Sequence, residues 1–475
     1  MKKVYSHILI AFVFLFLTAC TDTHYLAEKL FWQAGKKTKE LVSKKSGKLT
    51  PEDYEKIVSY YREAISRVPL DPFAAKAHFT IADLFLKRAQ PQKAQKELRE
   101  IINNFSSSGK IASKAYFNIG RIFEYQGKWD LAREEYEKII DLYPMTRIGL
   151  NMPLYIMAHY KVVKDKDKVE DAYKSALRHY NSMIEEYNQT SAAPLIKDYL
   201  SKLYLEKGKT ADAIAVWDGL EKDYSSSPVA AKAILAKAFI YERVVKDIKQ
   251  ALGEYKKFIK LYPGNKVTPQ IKLKMAILYY DDSNLNKAKE MFNRLIKDYP
   301  DDAKLRIKGM LGLSYCYRKE ANTAKVMEIY QKIKKEYPES KAALDVPFLI
   351  AQYYQQEKYS SKADEAFKEA IAEYKNKLIE SGKENSPKKR AIADLLALCY
   401  LKNNNVGKAV NTLKELADIY TLDPTYLIDL ASLYKNINAK EKAAGVYREL
   451  IKRFPGNKII LKFANAQIKA LSQNK

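Results

Sequence analysis

Residues 116–144 read YFNIGRIFEYQGKWDLAREEYEKIIDLYP, and this stretch decides the fold. Tyr116, Ile119, Gly120 and Phe123 fall at i, i+3, i+4 and i+7, which puts them on one face of a first helix. Gln126-Gly127-Lys128 breaks that helix. Ala132, Tyr136, Ile139 and Tyr143 then line the matching face of a second. Gly120 and Ala132 are small where two helices cross closely, and Tyr136 fills the space beside them. Pro144 ends the unit, because it lacks a donor and disfavours the helical region for the residue before it.

The same unit recurs. The residues that close the second helices are Val68, Phe105, Tyr143, Tyr187, Tyr224, Tyr262, Tyr299, Tyr337, Tyr374, Tyr420 and Phe454. Their steps are 37, 38, 44, 37, 38, 37, 38, 37, 46 and 34. Ala82, Ser201, Ala276, Ala351, Ala397 and Ala431 repeat the small residue of the first helix, and Ala94, Ala213, Ala288, Ala363, Ala409 and Ala443 that of the second. Fixed periods of 20–50 residues mean stacked units.

The pattern resembles the tetratricopeptide repeat, a helix–turn–helix unit with small, aromatic and proline positions at these spacings. The resemblance covers roughly residues 50–470 and implies an all-α, right-handed α-solenoid of about ten to eleven repeats. Two units are irregular. The one closing at Tyr187 has a stretched middle at 161–168, worth about two helical turns or a loop. The one closing at Tyr420 follows an insertion at 375–389 that reads as a joint. The organisation expected is a leader at 1–19, a first helix within 20–49, repeats at 50–374, a linker at 375–390 and terminal repeats at 391–475.

The start of the chain sets an expected compartment. Met1-Lys2-Lys3 precedes the apolar run 8–17, too short for a membrane span but laid out like a secretory signal. Leu17-Thr18-Ala19-Cys20 resembles the bacterial lipobox, which implies cleavage before Cys20 and lipidation of its thiol. Thr21 after it, by the sorting rule of enteric bacteria, implies the periplasmic side of the outer membrane; Asp22 leaves retention at the inner membrane open. Residues 24–45 read as an amphipathic helix with Leu26, Leu30 and Ala34 on one side, completing the first repeat. Thr50-Pro51-Glu52-Asp53 reads as the start of the next.

The chain of 475 residues carries a net charge of +26. Such an excess suits anionic headgroups, an acidic polymer or nucleic acid. Only 15 of the 83 basic residues are Arg, however, and the Lys are spread over nearly every helix, which argues against nucleic acid. Cys316 and Cys399 lie more than two units apart, so both read as packing residues rather than a disulfide. His24, His78, His159 and His179 show no metal spacing, and Gly120…Gly127-Lys128 lacks the spacing of a phosphate loop. No catalytic constellation, metal site or cofactor is expected.

Function is expected on the face of the first helices, where this family binds its partners. In the family's register that face holds Phe79 and Asp83; Phe117, Arg121 and Tyr125; Lys202; Ile277 and Tyr280; and Phe348 and Gln352. The recurring Phe either anchor a peptide with acidic flanks or pack between units. The whole resembles the envelope lipoproteins of barrel assembly and the Tol-Pal region, with about twice their repeats. That resemblance implies a non-catalytic scaffold holding another envelope protein. The alternative is a polysaccharide-export lipoprotein that binds an acidic polymer and an outer-membrane porin.

Overall fold

A computed structural model of the chain describes residues 2–45, 49–225, 227–381 and 387–473, with side chains from residue 23 to 472. The leader and Cys20 therefore lie outside the residues whose side chains are described. Among the described residues there is no strand. Two compact units divide at Glu254/Tyr255.

The first unit contains α1 (Lys2–Lys44), α2 (Pro51–Arg67), α3 (Pro72–Lys87), α4 (Pro91–Asn104), α5 (Gly109–Tyr125) and α6 (Trp129–Leu142). It continues with α7 (Arg147–Val162), α8 (Lys166–Tyr187), α9 (Ala193–Lys207), α10 (Thr210–Asp223), α11 (Pro228–Ile240) and a π-helical turn, Tyr241–Val245. Helix α12 (Ile248–Leu261) carries the chain across the division. The second unit holds α13 (Thr268–Asp281), α14 (Leu285–Asp298), α15 (Ala303–Lys319), α16 (Thr323–Glu336), α17 (Lys341–Gln356) and α18 (Ser360–Glu380). It ends with α19 (Pro387–Lys402), α20 (Val406–Ile419), α21 (Thr425–Asn436), α22 (Lys440–Arg453) and α23 (Lys458–Gln473).

From α3 to α22 the helices pair off as first and second members of a repeat, and one backbone device makes every pair. The turn residue is left-handed in each: Ala89, Gly127, Lys164, Gly208, Lys246, Ser283, Ala321, Lys358, Asn404 and Asn438. The next N–H then reaches back to the carbonyl of an aromatic one turn earlier, as from Lys128 to Phe123 (2.9 Å) and from Asn405 to Tyr400 (2.8 Å). This is the Schellman arrangement, which satisfies carbonyls a helix end would otherwise leave open. The left-handed residue stands four positions after its aromatic in nine pairs. In α11 it stands five after Tyr241, because the π-helical turn inserts one residue.

The crossing inside each pair depends on small residues. A Cβ added at Gly120 would come within 2.2 Å of the Tyr136 ring, and Tyr136 is fully buried. Gly312 of α15 meets Phe292 of α14 as closely, at 2.3 Å, where two consecutive repeats touch. Ala94, Ala132, Ala213, Ala288, Ala409 and Ala443 are wholly buried at the matching second-helix position.

The irregular units resolve into longer helices. The stretched middle becomes extra turns of α8, after a short turn at 163–165. Tyr374 does not close its helix: with no proline after it, α18 runs on to Glu380. A single hydrophobic core joins Phe367, Ala370 and Tyr374 before the insertion to Leu395, Leu396 and Tyr400 after it. Helix α1 does complete the first repeat, on a face that keeps the expected Ala34 and Leu30 but not Leu26. Ala27 and Ala34 are buried, Leu26 is exposed, and Phe31 packs on Tyr61 (5.6 Å) and Phe73 (5.7 Å). Thr50 and Asp53 form the reciprocal cap of α2.

One core position is charged. Lys237 stands where other first helices place Ile81, Ile119, Leu200 or Met275, one residue before the small Ala238. It is 2% exposed, and its ammonium contacts Asp218 (2.6 Å), Glu221 (2.5 Å) and Glu254 (3.2 Å). Burial opposes the charge, yet the hydrogen bonds to Asp218 and Glu221 and the field of Glu254 outweigh it and hold the ammonium above its ordinary range. With the folded pKa raised, this contribution to stability is full at neutral pH and is lost only as pH rises past the ordinary lysine range.

Two predictions follow from the packing. Gly120→Ala should destabilise the chain by about 1–3 kcal/mol through overpacking. Ala321→Gly, at φ 56°, should stabilise it by about 0.5–1 kcal/mol by removing a left-handed Cβ. Urea denaturation followed by circular dichroism reads both signs. Lys237→Met should cost about 3–5 kcal/mol at pH 7 by removing the ammonium on which three carboxylates converge. Urea denaturation reads the loss, and a variant as stable as the parent chain would refute the charge argument.

Candidate partner-binding face

The expected first-helix positions divide between the two units. In the first, Phe79 is half-buried with the Lys114 ammonium 4.4 Å from its ring. Phe117 sits between Tyr136 (5.8 Å) and Tyr155 (5.7 Å), and Tyr155 donates to Glu124 at 2.9 Å. Both Phe pack into the seam between consecutive repeats. Asp83 is exposed, and Tyr125 is 83% exposed. Arg121 donates to the Tyr125 hydroxyl (3.1 Å) and pairs with Glu124 (3.2 Å). Partial burial disfavours its charge, but the hydrogen bond to Tyr125 and the fields of Tyr155 and Glu124 outweigh that and hold its pKa above the ordinary arginine value. Lys202 is drawn to Asp198 (2.7 Å) and lies 4.2 Å from the Tyr199 ring.

In the second unit, Phe348 is half-buried against Phe367 (6.5 Å), and its backbone N–H donates to the Tyr374 hydroxyl at 3.2 Å. Gln352 is half-buried. Tyr280 lies 6.5 Å from Tyr315, and the Lys319 ammonium stands 4.1 Å from its ring. Burial pushes the Tyr280 phenol up, so it stays a neutral hydrogen-bonding group.

Two residues of this face escaped the sequence reading. Tyr315 (45% exposed) and Leu398 (41%) occupy the same first-helix position as Ile277 (40%), two residues before Tyr317, Tyr400 and Tyr279. The signal was present: counting back two from each repeat tyrosine finds them. In the first unit that position holds Asp83, Arg121, Ala158, Lys202 and Phe239.

The titratable groups serve packing. His78 bonds Glu97 (2.8 Å), which Arg62 also reaches. Burial raises the Glu97 carboxyl, but these partners outweigh it and hold it below the usual range. His159 stacks flat on Trp129, with centroids 3.3 Å apart. Among the described residues no group of His, Cys, Asp and Glu is placed to hold a metal ion, and no helix is long and apolar enough to cross a membrane.

Many of the lysines have structural work. Six second helices place a Lys eight residues after the repeat aromatic and over its ring: Phe85–Lys93, Tyr160–Lys168, Tyr279–Lys287, Tyr354–Lys362, Tyr400–Lys408 and Tyr434–Lys442, at 5.6–6.0 Å.

Comparison with known protein families places tetratricopeptide repeat models on residues 113–145 and on 271–302, 309–340 and 427–457. Curated proteins return no match. Solved structures with similarity include the Naa15/Naa10 complex bound to HypK-THB (14% identity, TM-score 0.37, 93% of this chain and 65% of that one). Yeast Tom70 is similar at 14% identity and TM-score 0.37, covering 94% and 96%. A tetratricopeptide repeat protein from Parabacteroides merdae is similar at 18% identity and TM-score 0.30, covering 60% and 98%. The chain thus spans 65% of the length of the first of these. The fold rests on the helix pairs and the matched repeats: an all-α tetratricopeptide-repeat solenoid, an architecture that serves as a scaffold for protein–protein interaction.

Cys316 and Cys399 are both fully buried, and burial pushes their thiols up to about 11 and about 12. In a Cys20→Ser chain, Ellman's reagent should find no reactive thiol at pH 8 until the protein is unfolded, and two thereafter. Rapid reaction of either in the native chain would show that its repeat opens.

Proposed function

We propose that this protein is a non-catalytic scaffold that holds a partner protein on its first-helix face and is anchored by lipid at Cys20 in the cell envelope. The observation that carries the docking surface is the recurrence of exposed apolar groups at one repeat position, Ile277, Tyr315 and Leu398, with Tyr280 beside Tyr315. Soluble surfaces scatter apolar groups singly, whereas repetition along one face marks a contact surface. Phe79 and Phe117 contribute by holding neighbouring repeats in register, and Phe348 by packing on Phe367 within its own repeat. Arg121 and Tyr125 offer a polar site on the first unit, with a rigid ring and a charged group side by side.

The anchor reading is supported by Leu17-Thr18-Ala19-Cys20 and by the segment after it, which docks on the first repeat through His24–Asp71 (2.7 Å) and Phe31. An anchored solenoid with an unpaired apolar face suits the recruitment of another envelope protein, at the periplasmic side of the outer membrane.

Ile277→Asp/Tyr315→Asp/Leu398→Asp should abolish capture of a partner from solubilised membranes, at least tenfold by quantitative mass spectrometry, without loss of helicity. Phe79→Ala should instead lower stability by about 3 kcal/mol and leave capture intact. Equal capture by the triple variant would overturn the docking face. Cys20→Ser should move the protein from the membrane pellet to the soluble fraction; continued sedimentation would overturn the anchor.

A further inference from the structure

Three equivalent grooves lie on the second-helix side of the repeats, each between consecutive second helices and floored by the first helix between them. The groove of α6, α7 and α8 measures about 350 Å³, that of α12, α13 and α14 about 460 Å³, and that of α20, α21 and α22 about 500 Å³. Each is bordered by one of the stacked Lys–Tyr pairs: Lys168–Tyr160, Lys287–Tyr279 and Lys442–Tyr434. Sharing one architecture, they differ in charge.

The first is balanced: Arg133 pairs with Glu137 (3.4 Å) and Lys168 with Asp165 (3.7 Å). In the third, three cations face two carboxylates: Arg453 is held by both Asp418 (3.0 Å) and Glu449, and among the described residues Lys414 and Lys442 form no ion pair. The middle groove carries five cations and two carboxylates. Lys272 takes Asp298 (3.3 Å) and Arg294 takes Glu290 (2.5 Å). Among the described residues Lys256, Lys260 and Lys287 form no ion pair. Lys256 and Lys287 approach the Tyr279 ring from 5.8 and 5.6 Å. All three lysines are exposed, and between them lie the half-buried side chains of Ile259 and Met291 over buried Met275.

We propose that the groove between α12, α13 and α14 binds an acidic peptide segment carrying an aliphatic side chain between its carboxylates. Three ammonium groups without carboxylate partners supply the charge complement. The Ile259–Met291 floor supplies the apolar contact, and methionine adapts its shape to the group that enters. A purely polar polyanion would use the rim and leave the floor uncovered. The site is separate from the first-helix face, and its test is independent of that face.

The probe is a fluorescein-labelled peptide, Glu-Glu-Leu-Glu-Glu-Leu-Glu-Glu, titrated with the full chain at about 0.15 M salt and followed by anisotropy. Saturable binding is expected. Lys256→Glu/Lys260→Glu should weaken it at least tenfold, while Lys414→Glu in the third groove and Tyr315→Asp on the first-helix face should change it less than twofold. A probe with Ser for both Leu should bind about tenfold more weakly. Circular dichroism checks that each variant is folded. Absence of binding at millimolar protein, equal binding of the Ser probe, or equal weakening by Lys414→Glu would each overturn the proposal. So would polygalacturonate displacing the probe at equal charge concentration with the same response to the variants, which would assign the groove to an acidic polysaccharide.

Discussion

The close crossing of two helices within each repeat is the constraint on which the rest depends. At Gly120 the backbone of α5 comes so near Tyr136 that even a methyl group cannot stand there. This one approach fixes three things together: the distance between the helices, the burial of a large aromatic, and the angle at which the next repeat receives the chain. Because a repeat contacts its neighbours and little else, the same approach has to be restated along the chain, here by a small first-helix residue such as Gly120, Ser201 or Ala276 against a large second-helix one such as Tyr136, Trp217 or Phe292. The left-handed turn residue is its companion, since a crossing that tight leaves room for only a three-residue connection.

That constraint explains why the fold was legible in the sequence. The small residue, the aromatic and the closing residue recur because each repeat needs them, so period and helix pairing could be read directly. Binding residues carry no such obligation. Phe79, Phe117 and Phe348 occur at a position that faces both the groove and the neighbouring repeat, and periodicity does not distinguish those directions. The structure turns Phe79 and Phe117 toward the seam and packs Phe348 on Phe367 within its own repeat. Tyr315 was overlooked because it adjoins Cys316 and Tyr317, both of which pack; only the register shows that it points the other way. Ala27 and Leu26 illustrate the same limit, because neighbouring residues stand about 100° apart around a helix and three apolar positions leave the edge of the buried face open.

Lys237 could not be foreseen for a different reason. The π-helical turn adds one residue after it, so that counting back from Tyr262 places Ala238 at the apolar position and conceals the lysine. The charge is tolerated because two half-buried carboxylates, Glu221 and Glu254, approach from neighbouring helices and a third, Asp218, reaches in from solvent. Such an arrangement contributes less to stability than a leucine would, since the desolvation of four charges offsets much of their attraction. What it does supply is register: only one sliding position of α10, α11 and α12 brings three carboxylates to one ammonium. Within the first unit, beside the π-helical turn that has already disturbed the ladder, a directional contact fixes the packing more sharply than an apolar one.

The same distinction between obligatory and free groups applies to the net charge. A charge of +26 says little about ligands while its lysines are counted together. A lysine eight residues beyond an aromatic lies over that ring, and at 5.6–6.0 Å each such contact is worth about 0.5 kcal/mol, the lower end for exposed pairs. Repeated six times, that amounts to a modest and evenly spread stabilisation, and it accounts for basic residues at a fixed repeat position with no need of an anionic partner. Other lysines are neutralised by the carboxylate of an adjacent helix, as Lys334 is by Glu373 at 3.0 Å. Ligand electrostatics therefore reside in the departures from the repeat. A groove with five cations and two carboxylates, beside one whose charges are paired and one with three cations to two carboxylates, is informative because all three share one arrangement of helices while the excess of charge differs.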